Sequence, residues 1–369
     1  MSERTYIGLD VHARSIVGCA LNIDTGELTR SRFEDDLLGT AEWVRGFGPG
    51  VRVVYEAGPT GFGLARHFRA AGIDCVIAAP SKLLRAPGDK IKTDRRDAKI
   101  LATMLALGEV TEVTIPDPGQ EALRDLSRAR HVASADNAHA KQRVNAILLR
   151  HGILFQGGKS RWTREHLRWL HQQHFEDPAL EFAFQESLAQ EESMSVRLKR
   201  IDKEVARVAA DCRYTEIINA LACLRGISTV GAFGLATEIG DWTRFNGATI
   251  GSYLGLVPSE HSSGETRTQG RITKAGNAYA RLLLIEAATV HKRPYRRPGI
   301  LELRQLELVS PATAARARQG NQRLHARAAA LEERHKMPAK ARTAIARELA
   351  GWCWSLAAPL QEGRPMAGR

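Results

Sequence analysis

The chain has 369 residues, 43% of them hydrophobic and 25% charged, ordinary values for a globular protein with room for two or three domains. Lys and Arg number 53 against 41 acidic residues, a formal charge of +12 with a pI near 9.8, which favours polyanionic partners such as nucleic acid. No apolar run reaches the roughly 18 residues of a membrane span, and Met1-Ser2-Glu3-Arg4 lacks the layout of a signal peptide, so a cytoplasmic protein without membrane contact is expected. Cys19, Cys75, Cys212, Cys223 and Cys353 are scattered without CxxC spacing and read as small core residues in a reducing compartment.

The first 80 residues alternate strands and helices. Tyr6–His12, Ser15–Asn22 and Leu28–Phe33 form an antiparallel meander with a turn at Asp24-Thr25-Gly26. A helix over Thr40–Phe47, a buried strand over Val51–Glu56, an amphipathic helix over Gly61–Ala71 and a buried strand over Cys75–Ala79 follow. Hairpin strands followed by alternating helices and parallel strands describe the ribonuclease-H-like order. Ser81–Arg96 is a basic loop, Arg95–Leu107 a helix, and Pro116 and Pro118 close this α/β domain. From Gln120 to Tyr214 the pattern is helical and charged. Ala122–Arg150 and Glu181–Ala210 would return on each other as an antiparallel coiled-coil arm, either a solvated spacer or a dimerising arm that also touches nucleic acid. Ile217–Leu284 is a second compact, mainly helical unit, with a polar, glycine-rich stretch over Gly255–Gly276. After Pro294 a basic tail reads as two helices. The expected domains are 1–116, 117–214, 215–293 and 294–369.

Phosphodiester chemistry with two divalent metals needs several carboxylates on rigid elements, close enough to hold ions about 4 Å apart. Asp10 lies inside an apolar strand, where an unpaired carboxylate is costly. Glu56 ends the next buried strand of the parallel section, which neighbours the first in a ribonuclease-H-like sheet. Asp94 and Asp97, at i and i+3, share one helix face. Each of the two also suits a bland role, Asp94 as a helix cap and Asp97 as a first-turn acid. Neither role accounts for Asp10 and Glu56. Lys90, Lys92, Arg95 and Arg96 surround the helix start and suit phosphate contacts or offset carboxylate repulsion. His12 shares Asp10's strand face; it is either a phosphate contact or a plain surface histidine.

The segments GLDVH (Gly8–His12), YEAGPTG (Tyr55–Gly61) and KTDRRDA (Lys92–Ala98), with GSYLGLVPSEHSSGETRTQGRITKAGN (Gly251–Asn277) downstream, resemble the bridge-RNA-guided DEDD insertion-sequence transposases, the insertion sequence 110 family. SEHSSGE and ITKAGN resemble its branch numbered eleven-eleven. The resemblance implies a RuvC-like catalytic domain whose Asp10, Glu56, Asp94 and Asp97 bind Mg²⁺, and a transposase domain contributing a serine nucleophile. Ser262-Ser263-Gly264 is the matching segment; Ser263, next to the glycine, is preferred over Ser262, with Ser259 a poorer third. Read from the residues alone, a serine in such a stretch is usually a turn residue, and only Glu260 and His261 offer an adjacent base. Arg267, Arg271 and Lys274 suit phosphate contacts. Gly226-Ile-Ser-Thr-Val-Gly231 resembles the family's helix-hairpin-helix-like turn, but Ser228 replaces its second glycine, so a purely structural hairpin competes with phosphate contact. The expectation is a DNA transposase, nucleoid-associated in a bacterium, that acts on donor and target DNA with a guide RNA, as a homodimer or homotetramer. A RuvC-like Holliday-junction endonuclease with a water nucleophile and an inert nucleic-acid-binding module remain the alternatives.

Overall fold

The computed structural model describes residues 4–34, 36–80, 93–158, 160–263, 266–294 and 298–363, with the backbone alone for 261–263, 266 and 267. Two compact units divide the chain, Met1–Asp117 and Pro118–Arg369. The first is mixed α/β around a sheet, and the second is mainly helical. None of the described helices is long and apolar enough to cross a membrane.

In the first unit, strands β1 (Thr5–Val11), β2 (Ile16–Asn22), β3 (Leu28–Phe33), β4 (Arg52–Glu56) and β5 (Asp74–Ala78) form one sheet in the order β3-β2-β1-β4-β5. The first three are antiparallel, while β1, β4 and β5 run parallel, so β1 and β4 are neighbours. Because side chains alternate along a strand, Ile7, Leu9, Val53, Tyr55 and Ile77 bury one face. They pack with Ala41 and Val44 of α1 (Leu37–Arg45) and Leu64, Ala65 and Phe68 of α2 (Gly63–Ala70). Each large side chain removed from water here contributes about 1.5–3 kcal/mol.

The other face meets α3 (Asp94–Ala106), whose Leu101 and Leu105 cover Val54 and Val76, and whose Ala98 covers Val17 and Cys19. Helix and sheet approach closely because Gly8 has no side chain: a Cβ there would collide with the Ala98 carbonyl oxygen and the Ala102 backbone nitrogen. Helix α3 begins after Thr93, with Asp94 as its first helical residue rather than its cap.

In the second unit, α4 (Pro118–Arg150) and α6 (Pro178–Ala210) lie antiparallel. Arg130 Nε meets Asp202 at 2.8 Å, Ser195 Oγ donates to Asn137 at 3.3 Å, and Arg143 donates to Gln190 at 3.0 Å. Their far end is closed by α5 (Arg164–His171) and a cluster of Val144, Leu148, Leu170, Phe175, Phe184 and Leu188.

At the near end, Val205 and Ala209 join a larger core shared by α7 (Thr215–Ala222), α8 (Thr229–Ile239), α10 (Ala278–Ala288), α12 (Pro311–Glu333) and α13 (Pro338–Glu362). An ion pair between a half-exposed arginine and a buried carboxylate ties α4 to this core. The carboxylate of Glu238, fully buried, receives Arg128 Nε at 2.7 Å and Nη2 at 3.0 Å, and Asn277 Nδ2 at 2.6 Å.

Two local expectations need correction. The residues after Pro294 form three described helices, α11 (Ile300–Glu307), α12 and α13, because Pro311 and Pro338 each start a new helix; proline suits a first helical turn and breaks a helix interior. The Gly255–Gly276 stretch follows the short helix α9 (Thr249–Tyr253) and contains an antiparallel ribbon, β6 (Pro258–Ser263) and β7 (Thr266–Ile272). Its sequence carries no apolar–polar alternation, the signal that marks a half-buried strand.

Candidate catalytic centre

Asp10 and Glu56 each stand one residue beyond the paired Leu9 and Tyr55 of β1 and β4. Leu9 and Tyr55 point to the α1–α2 side, so alternation turns both carboxylates to the side covered by α3. That helix brings Asp94 and Asp97 in its first turn, where the unpaired backbone N–H groups favour acidic side chains. His12, just past the end of β1, reaches back with Nε2 3.3 Å from Asp10 Oδ2 and 3.7 Å from Asp94 Oδ1.

Asp10, His12 and Asp94 offer one ligand atom each, all within 4.8 Å of one another. Glu56 and Asp97 stand outside this tight set. Asp97 is close enough for its charge to act on Asp10. Burial pushes the Asp10 carboxyl above its ordinary range, repulsion from Asp94 and Asp97 adds to that, and His12 opposes it. Several like charges around one half-buried carboxyl make a place that a cation would relieve. The donor set is oxygen-rich with one imidazole, which suits a hard or borderline divalent ion.

His12, which the sequence left as either a phosphate contact or a surface histidine, is exposed and stands beside both Asp10 and Asp94.

Arg95 and Arg96 are exposed in the first turn of α3, beside the carboxylates. Lys90 and Lys92 lie outside the described residues.

Ser262 and Ser263 belong to the second unit, at the end of β6, where Ser262 pairs with Arg267 and Ser263 with Thr266. The ribbon's base is pinned by Arg281, whose Nη1 donates to the carbonyls of Leu254 at 2.9 Å and Ala275 at 2.8 Å. Gly255 and Gly276 have positive φ at this base, and so does Lys274, with φ 55°. Arg271 and Lys274 are exposed.

Between α7 and α8, Gly226 takes φ 87°, and a Cβ there would strike the Ala287 carbonyl. Ser228 accepts a hydrogen bond from Gly231 N at 3.3 Å and caps α8. The residue that replaces the glycine of the resembling turn therefore has a structural task.

Comparison with known proteins gives the family. Residues 7–153 match a family model described as a transposase, the DEDD type of IS110 elements, and residues 218–299 match the Transposase IS116/IS110/IS902 family. A putative transposase, y4qE, of Sinorhizobium fredii is 42% identical over 304 residues, 82% of this chain and 74% of that protein. The transposase for insertion sequence element IS1533 of Leptospira borgpetersenii is 30% identical over 66% of this chain and 71% of its own length. The transposase for insertion sequence element IS1111A of Coxiella burnetii is 23% identical over 60% of this chain and 61% of its own. The protein is thus a DNA transposase. It belongs to the IS110 family of insertion-sequence transposases. The DEDD character of the matched family points to a divalent metal ion.

Proposed function

We propose that this transposase cuts and exchanges DNA strands with Mg²⁺ held by Asp10, Glu56, Asp94 and Asp97, and with a serine of β6, Ser263 before Ser262, as nucleophile. The observation that carries the metal half is the cluster of Asp10, His12 and Asp94 ligand atoms, with Glu56 on the same sheet face and Asp97 one turn along α3. His12 is added to the set as a ligand or as a partner that orients the carboxylates. The ion would supply Lewis-acid stabilisation of the charge that builds on the phosphoryl oxygens. We read the first unit as RuvC-like on its strand order, and α4 with α6 as a coiled-coil arm.

In the reaction proposed, the serine Oγ–P bond forms, the P–O bond to the departing strand end breaks, and the hydroxyl proton leaves to a base. Glu260 and His261 are the nearest in sequence. A phosphoserine link conserves the phosphodiester's energy, so a second strand end can reverse the step on a new partner without an external energy source. Arg95, Arg96, Lys90, Lys92, Arg267, Arg271 and Lys274 would hold the DNA backbone. We keep 1–116, 117–214, 215–293 and 294–369 as functional divisions. Donor and target would be chosen by pairing with a guide RNA, in a dimer or tetramer joined through the long helices.

The test combines purified protein, element-encoded RNA and DNA sites with Mg²⁺ and looks for a protease-sensitive protein–DNA adduct. Adduct formation that is lost in Ser263→Ala or Ser262→Ala supports the serine. An adduct that survives in both variants sinks it. Metal-dependent cleavage without any adduct favours the water-nucleophile endonuclease. Full activity in Asp10→Asn removes the metal-site assignment.

A further inference from the structure

The carboxylates occupy one end of a longer surface feature. Along the sheet, Asp10 pairs with Val17 of β2, and Val17 pairs with Arg32 of β3. Two residue pairs further along the strands, and so on the same face, Gly8 pairs with Cys19 and Cys19 with Arg30. Val17 and Cys19 pack against Ala98 of α3, so alternation puts Arg30 and Arg32 on the same side of the sheet as Asp10. There they line a cleft of about 730 Å³ together with Ser31, Thr93, Asp94 and Arg95. Asp94 belongs to both the cleft and the carboxylate cluster.

The cleft carries three cations against the single carboxylate of Asp94. Arg30, Arg32 and Arg95 are exposed, Arg30 reaches the buried Cys19 thiol, and among the described residues none of the three forms an ion pair with a carboxylate. Other arginines of the same unit are engaged: Arg4 with Asp24, Arg52 with Asp74, and Arg45 and Arg66 with backbone carbonyls. Three guanidinium groups lining one cleft with a single carboxylate leave a net positive charge that an anion would relieve. Among the described residues no aromatic ring lines the cleft, so these residues offer bases no stacking platform, and their donors fit phosphate oxygens.

We propose that Arg30, Arg32 and Arg95 form a groove that grips the phosphate backbone of the DNA strand running away from the reacting phosphodiester. This deepens the proposed function and rests on its assignment of the carboxylates. The groove extends from Asp10 by two strand spacings, about 10 Å, which is roughly three steps of a duplex strand at about 3.4 Å each. Contact with the backbone alone makes the grip independent of base sequence and places the strand in register with the carboxylates. Arg30 and Arg32 are new to the site; their sequence context, LTRSRF on an edge strand, reads only as alternation of polar residues.

The experiment measures the salt dependence of binding by the full-length protein, in EDTA, to labelled single-stranded DNA, duplex DNA and single-stranded RNA of mixed sequence. Loss of two phosphate contacts in the Arg30→Gln/Arg32→Gln double variant should flatten the slope of log Kobs against log salt. The expected change is about 1.4 on single strands and about 1.8 on duplex. Arg30→Lys/Arg32→Lys should keep most of the slope, and both variants should keep the wild-type urea midpoint. Should the glutamine pair unfold the protein, Arg95→Gln serves instead, with an expected change of about 0.7–0.9. An unchanged DNA slope in a folded glutamine variant overturns the groove, and a change seen with RNA but not DNA overturns its assignment to the DNA strand. Because binding is read without metal or cleavage, the result is separable from Asp10→Asn. If that variant cleaves normally the catalytic assignment falls, whatever the slopes show.

Discussion

The carboxylate end of the sheet and the β6–β7 ribbon are held in opposite ways. Asp10 and Glu56 continue strands whose preceding residues, Leu9 and Tyr55, are fully buried, and α3 is fixed over them by direct contact between helix backbone and Gly8. The ribbon that carries Ser262 and Ser263 is made of polar residues and is tied to its unit at the base, by Arg281 and by the backbone turns at Gly255, Lys274 and Gly276. A metal site needs several ligands held within a few tenths of an ångström, which a packed sheet provides. A nucleophile that must meet one strand and later release it tolerates, and in this reading uses, a more loosely anchored element.

The strongest way to break this comparison is at Asp10. Asp10→Asn keeps the side-chain shape and removes the central charge, so strand cleavage should fall by about 10³-fold, near 4 kcal/mol of transition-state stabilisation. The urea midpoint of the metal-free protein should stay the same or rise, because the lost charge is half-buried beside Asp94 and Asp97. If stability fell in parallel with activity, Asp10 would be a structural residue and the contrast between the two regions would collapse.

The same contrast explains what could be read from the sequence. The strands of the sheet announce themselves by buried apolar runs such as VVY at Val53–Tyr55, and Asp10 stands out because an acid in such a run is costly. Asp94 and Asp97 were visible through helical spacing. His12 was ambiguous because one of its neighbours is Asp94, which lies far off in sequence and approaches only when α3 folds over Gly8. The cleft formed by Arg30 and Arg32 was hidden for a similar reason, since cross-strand rows are set by register and not by local pattern. The ribbon itself was missed, being polar on both faces, and its serines were legible only through family resemblance. Ser228 shows the reverse case: as a departure from a glycine it looked like a lost contact, whereas it caps α8.

Gly8→Ala sharpens the account of the sheet. The added methyl would have to displace α3 backbone, which has no rotamer to change, so the unit should lose about 3 kcal/mol by urea denaturation. Cleavage should fall further than stability explains, because Asp94 and Asp97 move with the helix. A folded Gly8→Ala protein with normal activity would show that α3 need not sit where it does.

Arg281→Gln does the equivalent for the ribbon at smaller cost. Two charge-assisted hydrogen bonds to Leu254 and Ala275 are removed, and the expected loss in adduct formation is about 10- to 30-fold, near 2 kcal/mol. DNA affinity should hold, because Arg281 Nη1 is turned to the backbone carbonyls of Leu254 and Ala275. Equal losses of affinity and adduct would instead make Arg281 a DNA contact.

Lys274 gives the finest test. A side chain at φ 55° costs about 1 kcal/mol that glycine avoids, while glycine adds a similar entropy to the unfolded chain. Lys274→Gly should therefore leave the urea midpoint within about 0.5 kcal/mol of wild type. If the exposed ammonium holds a phosphate, the same variant should flatten the salt slope of duplex binding by about 0.9. Lys274→Arg should restore the slope and keep the strain. A stability gain with no change in slope would mean that the backbone turn alone fixes this position and that Lys274 is not a phosphate contact.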